Sequence, residues 1–397
     1  MKPINHSSWI SSLSKCLILL GYCSSAGVSL HGDAGHYMQK EVVKNYARIV
    51  HASYVDSLSL AQSMQRSIEA FLESPSSESL GAAKASWLSA RLPYLQTEAY
   101  RFYNGPIDDE NGPEGLLNAW PMDEAYVDYV KGYPESGIIN NPTDFPKITK
   151  TLIRELNERD GEENICSGFH AIEFLLWGQD LDPAGPGNRT YADFTTAPNA
   201  NRRKQFLRVA TGLLIDNLER LVADWAPDTN NYRRSFEEAE PSQSIKKILT
   251  GVSLLTGFEL AGERLLVPYE SRSQEDEHSC FSDTTHNDTV YDLLGVQNVW
   301  QGHYKRVDGS VIKGKGLRDW AANKAPDAAG KVDQFLKLSA KYAEDIPVPF
   351  DQAILQPEDS EASKAILRLI EKLEDIADLL DAIGKAHGYT IPRQLEE

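Results

Sequence analysis

The sequence predicts an all-α protein of two packed helical bundles. Three observations carry this. Apolar residues recur at helical spacing through most of the chain, most clearly at its end, where Ile366, Leu369, Leu373, Ile376, Leu380 and Ile383 form one stripe. No series of alternating strands competes with them; the one candidate is a small hairpin at Asp308-Gly309, beside Val311 and Ile312. At 397 residues the chain is long enough for two domains, and the polar stretch 227–241 divides it. The expected organisation is an export signal at 1–26, an N-terminal bundle at 38–235 and a C-terminal bundle at 236–397.

The N-terminus carries the marks of export. Lys2 and Lys15 precede a short apolar run, Cys16 to Tyr22, followed by the small residues Cys23 to Ala26. The run is too short to span a bilayer. Cleavage near Ala26 is expected, with a lipid anchor on Cys23 or a retained tail as alternatives. After cleavage only Cys166 and Cys280 remain. In an oxidising compartment they form a disulfide or stay as two buried thiols.

The first long helix is expected over 39–73, with Tyr46, Ile49, Val50, Tyr54, Ala61, Met64, Ile68 and Phe71 inward. Ser74-Pro75-Ser76-Ser77 ends it, and Ser77 is placed to cap the next helix. That helix carries Trp87 and Ala90 and is expected to kink at Pro93 before reaching Glu98. Residues 103–148, rich in Gly, Pro, Asn and Asp, form a long connection of the kind that often carries function. Helices follow at 148–158, around His170, at 199–226, at 243–266, at 290–300, at 327–345 and at the C-terminus.

The most informative stretch is Cys166 to Gly178. His170 and Glu173 stand in an otherwise apolar helix, three residues apart and so on one face. A buried carboxylate needs a partner, either a cation, an arginine or a water network. An imidazole nitrogen and a carboxylate oxygen at this spacing can share one metal ion. Further ligands must come from other segments. Glu98, Asp276, His278 and Asp283 are the candidates. Glu98 also has Arg101 three residues on, and Glu259 has Arg264 near it, so ordinary ion pairs compete for these acids. A site rich in oxygen donors with one imidazole suits iron; zinc or another divalent ion is the alternative. The balance of 40 Lys+Arg against 58 Asp+Glu, net −18, argues against nucleic acid and favours cations.

Taken together, these segments resemble the imelysin family, peptidase family M75. The likeness rests on Gly168-Phe-His170-Ala-Ile-Glu173, which fits the family's Gly-x-His-x-x-Glu motif. Gln96 to Phe102, Asn118 to Glu124, Glu259 to Arg264 and Ser273 to Asp283 extend it across both halves. The resemblance implies two helical bundles, an exported protein of the bacterial envelope linked to iron uptake and its partner proteins, and a metal site at His170 and Glu173. It also implies a metallopeptidase alternative. Against that alternative, neither His-Glu-x-x-His nor His-x-x-Glu-His occurs, since Phe174 follows Glu173.

Overall fold

The computed structural model describes residues 23–182 and 185–395, with side chains from residue 34 onward. The expected export signal falls almost wholly outside the described residues. Eight described α-helices reach ten residues or more: α1 Cys23–Glu73, α2 Ser77–Leu95, α3 Gly168–Trp177, α4 Ala200–Asp224, α5 Pro241–Leu254, α6 Thr285–Gln301, α7 Pro326–Asp345 and α8 Glu361–Ala386. The strands are β1 His303–Lys305 and β2 Val311–Lys313, which pair antiparallel as the expected hairpin. The protein is all-α.

Local chemistry explains most boundaries. Ser76, not Ser77, caps α2: its hydroxyl accepts from the Ser79 N–H while the Ser79 hydroxyl accepts from the Ser76 N–H. Such a reciprocal cap contributes about 1 kcal/mol. Pro93 lies inside α2, which tightens to a 3₁₀ turn over Gln96–Tyr100. Pro241 opens α5 at a position where the missing N–H is not needed.

Three departures from the expected elements have physical reasons. The polar divider 227–241 holds a short helix, Tyr232–Glu238, so the expected boundary at 235 falls within it. Asn231 caps this helix, and Arg233–Glu237 and Arg234–Glu238 pairs run along it, so it lacks the long apolar stripe that announces a helix. Helix α6 begins at Thr285, five residues early, because its first turn is polar and faces a buried polar cluster. The helix expected over 243–266 changes at Leu255 into a π-helix, Leu255–Leu266. Wide turns of this kind re-aim side chains and often mark functional segments.

Helices α1, α2, α3 and α4 pack on one another, as do α5, the π-helix, α6, α7 and α8. Helix α1 also reaches α5, and α6 packs against α2 and the 3₁₀ turn. One continuous apolar core joins both groups. The polar clusters described next lie where α2 and α3 meet α6 and the loop 272–284.

Candidate metal centre

Glycine at 168 is a steric requirement. Its φ is +79°, and a Cβ there would stand 2.5 Å from the Leu117 carbonyl oxygen. The next peptide is pinned as well, since the Trp87 indole N–H donates to the Phe169 carbonyl at 3.0 Å. The start of α3 is thereby fixed in position and direction. All ten of its residues are buried, and His170 and Glu173 are both 0 % exposed. His170 Nδ1 lies 3.0 Å from Glu173 Oε2.

The second imidazole comes from the loop 272–284. His278 Nε2 lies 3.3 Å from His170 Nε2, with the two rings edge to face. His278 Nδ1 is 3.0 Å from Asp288 Oδ2, in the first turn of α6. That oxygen also accepts the Ser279 hydroxyl at 2.6 Å, and Arg91 of α2 donates to Asp288 Oδ1 at 3.2 Å. Glu173 Oε1 accepts both the N–H and the hydroxyl of Ser282, at 2.9 and 2.6 Å. Trp120 and Phe281 close the apolar side, Trp120 packing on the His170 ring and on Phe281.

Burial, together with the nearby positive charges, holds both imidazoles well below their usual pKa. Burial pushes Glu173 up to about 8 against the opposing Ser282 hydrogen bonds. A neutral imidazole carries one N–H. With Glu173 protonated, one continuous chain is satisfied: Glu173 donates to His170 Nδ1, His170 Nε2 donates to His278 Nε2, and His278 Nδ1 donates to Asp288. With Glu173 ionised, each Nδ1–H points at its own carboxylate and the two Nε2 lone pairs face each other. That second state needs a cation.

A metal fits the donor set. Metal-bound histidines characteristically give their second N–H to a carboxylate, and both histidines here have one. Two imidazole nitrogens on one tetrahedral ion, each about 2.0–2.1 Å from it, stand roughly 3.3 Å apart. Among the described residues, however, no three His, Cys, Asp or Glu side chains form a ready-made ion shell. The arrangement is therefore an imidazole pair backed by carboxylates, with the remaining ligands left to solvent or to cargo.

The expected site residues divide accordingly. His170, Glu173 and His278 come together. Glu98 is fully buried one step away, and Asn118 Nδ2 contacts both Glu98 Oε1 and His278 Nε2 at 3.4 Å. Glu98 itself is held by Arg101 and Arg264, each at 2.6 Å, so its ordinary partner is arginine. Burial would raise its pKa, yet the two guanidiniums hold it at about 2. Arg264 also grips Asp292 at 2.6 Å and Glu259 at 2.8 Å. Asp276 sits half-buried in the short turn Gln274–Asp276, and among the described residues no hydrogen bond or ion pair joins it to the histidines. Asp283 turns away from them toward Asp180. The disulfide did not form: Cys166 and Cys280 are free and buried. Hydrogen bonds from Ser282 to Glu173 pin the loop instead.

Sequence reasoning missed Asp288, Arg91 and Ser282. A signal existed for Asp288, three residues into a polar stretch that immediately follows the acidic loop. Arg91 meets Asp288 across 197 positions, and no local pattern announces such a pairing.

The fold and this cluster define an all-α protein with a buried histidine–glutamate centre between packed helices. The chain belongs to the imelysin family: the family's profile, Imelysin (peptidase M75), matches residues 50–380. It is 24% identical over 343 residues to iron-regulated protein A of Synechococcus elongatus, covering 84% of this chain and 82% of that one. Two crystal structures share the fold. One, described as an iron-regulated protein A precursor from Parabacteroides distasonis, aligns with a TM-score of 0.68 at 16% identity, covering 88% of this chain and 95% of that one. The other, an imelysin-like protein from Psychrobacter arcticum, gives 0.62 at 13% identity, covering 90% and 98%.

Proposed function

We propose that this is an exported, metal-binding protein of the bacterial envelope that serves iron handling. Membership of the imelysin family and likeness to an iron-regulated protein support the iron-related part. No helix among the described residues is long and apolar enough to cross a membrane, which is compatible with a periplasmic or membrane-anchored protein.

The observation that carries the metal reading is the pair of Nε2 atoms 3.3 Å apart, each imidazole backed by a carboxylate. His170 and His278 would hold the ion, and Glu173 and Asp288 would orient them. The ion would supply a positive charge that no side chain brings to that point. This chain's residues set the terms: Trp120 and Phe281 close the apolar side, Ser282 fixes the Glu173 carboxyl, and Arg91 holds Asp288. With an ion held there, Glu173 would be ionised and would accept the His170 Nδ1–H.

Peptide hydrolysis draws no support from this geometry. His170 and Glu173 expose no surface to a polypeptide, and the second carboxylate of the centre is occupied by Arg91 and Ser279.

The test is metal content and proton release on the purified protein. Ferrous or zinc ion added near pH 7 should bind stoichiometrically and release about one proton per ion. His170→Ala and His278→Ala should each weaken binding by roughly 100-fold. Unchanged metal content in both variants would sink the proposal.

A further inference from the structure

A cleft of about 760 Å³ opens where the segment after the 3₁₀ turn, the helix α5 and residues 392–395 meet. That volume is within the usual range of small-molecule sites, about 300–1,000 Å³. None of His170, Glu173, His278 and Asp288 lines it. One wall is a face of α5, on which Gln243, Lys246, Lys247, Thr250 and Leu254 recur at helical spacing. The facing wall is held rigidly. Phe102 and Asn104 both line it, with φ of +70° and +56°, values that residues other than glycine rarely adopt. Asp108 keeps this segment in place, its carboxylate accepting the Phe102 N–H and, at 2.8 Å, the Gly105 N–H. The Arg101 guanidinium lies over the Phe102 ring at 4.7 Å. Gly251 sets the spacing of the walls, since a Cβ there would stand 2.7 Å from the Arg101 carbonyl oxygen. The cleft is thus formed in advance of any ligand, and backbone strain of this kind collects at binding sites.

The charges around the cleft are unequally answered. Arg101 is taken up by Glu98 at 2.6 Å and Glu114 at 3.2 Å, and Asp108 by its two backbone N–H donors. The lysines are different. Among the described residues, no carboxylate forms an ion pair with Lys246 or Lys247. Lys247 is half-buried, and its ammonium is fixed by Tyr232: Nζ donates to the phenol hydroxyl at 3.1 Å and lies 5.4 Å from the ring centre. A phenol holds an ammonium without cancelling its charge. Burial lowers the Lys247 pKa, although Asp108 pulls it back up. Beside it, Thr250 is 8 % exposed, and among the described residues its hydroxyl has no hydrogen-bond partner.

We infer that this cleft binds a small organic carboxylate with a flat apolar body. The carboxylate meets the Lys246 and Lys247 ammoniums and the Thr250 hydroxyl, and the body lies against Phe102, Leu254 and Pro392. Charge selects the headgroup. Two unpaired lysines on one wall attract an anion, while Asp108 and Glu114 on the other oppose a second negative charge, so a monoanion is preferred over a phosphate. In a chain of net charge −18, this is a local exception to the acidic surface, and it steers anions to one place. The inference stands whether or not the imidazoles hold an ion.

The experiment is naphthoate binding by calorimetry and ligand-observed NMR on the chelator-treated full chain at neutral pH. Four proteins are compared: the unmodified chain, Lys246→Gln/Lys247→Gln, Gln243→Trp and His170→Ala. Gln243 and Lys246 are exposed, so their replacement leaves the fold intact, and the tryptophan places bulk on the cleft wall. The inference expects one naphthoate per chain, bound about tenfold more weakly in the double lysine variant and in Gln243→Trp, and unchanged within about twofold in His170→Ala. Naphthamide, the same body without the charge, should bind the unmodified chain about tenfold more weakly than naphthoate. A naphthoate Kd above about 1 mM for the unmodified chain overturns the inference. So does undiminished affinity in the double lysine variant or in Gln243→Trp, which places the probe elsewhere. Equal affinity for naphthamide reduces the cleft to an apolar crevice, and a loss in His170→Ala moves the carboxylate to the imidazoles; either result refutes the assignment. Tighter binding of naphthyl phosphate than of naphthoate overturns the choice of headgroup.

Discussion

Two buried polar clusters lie side by side in this molecule and solve the same problem in opposite ways. Around Glu98, three acids (Glu98, Asp292 and Glu259) are gripped by Arg264, with Arg101 assisting at Glu98. Around His170, two neutral imidazoles stand between two carboxyls, and the guanidinium beside them, Arg91, is taken up by Asp288 and Asn118. The first cluster answers its acids with two guanidiniums, while burial pushes Asp292 well above the usual carboxylate range. The second is balanced only by leaving Glu173 protonated. A cation, as proposed, would therefore enter at the second, although on sequence both clusters look equally rich in acids.

Removing the compensating charge in the first cluster should give the largest effect. Arg264→Met strands Glu98 and Asp292 in the interior and should cost about 3–5 kcal/mol in urea unfolding. A loss below about 1 kcal/mol would mean that the arginine is not what holds these acids. Metal content of the refolded variant, by contrast, should be unaltered.

The next test uses pH, where the clusters should have opposite slopes. The Glu98 pKa is held at about 2, below the usual 4.5 of a glutamate. Its contribution, roughly 3 kcal/mol, is complete above pH 4.5 and is lost as pH falls toward 2. The Glu173 pKa is raised to about 8 from the same usual value. Its contribution is complete below pH 4.5 and is lost as pH rises through 8. In the metal-free protein, Glu98→Gln should flatten the acid limb of the stability profile and Glu173→Gln the alkaline limb. Matching profiles for the two variants would erase the distinction drawn between the clusters.

The smallest effect concerns the cysteines. Cys166 and Cys280 are separate thiols, and burial raises both pKa values above the usual thiol range. A thiol reductant should leave the melting temperature unchanged within about 1 °C. A clear drop would show that a covalent bridge joins α3 to the loop.

Much of this was legible in the sequence, for identifiable reasons. The long helices announced themselves because their buried faces repeat at helical spacing. His170 and Glu173 stood out because polar residues are conspicuous in an apolar run. The start of α6 was hidden because its first turn is polar for the sake of the site. The Tyr232–Glu238 helix was hidden because ion pairs, in place of a long apolar stripe, support it. Glu98 was ambiguous for a deeper reason: a buried acid looks the same in sequence whether its partner is a metal or an arginine, and Arg264 is 166 positions away.

The loop 272–284 covers the imidazole pair so completely that His170 has no exposed surface and His278 only 4 %. Passage to the centre is therefore a matter of how often that strap lifts, a local opening with its own free energy and its own clock. For the proposed ion, loading and unloading would then share one gate, whatever the intrinsic affinity within. Such a cover would favour retention of the proposed ion through dilution and competition over rapid exchange with the surroundings.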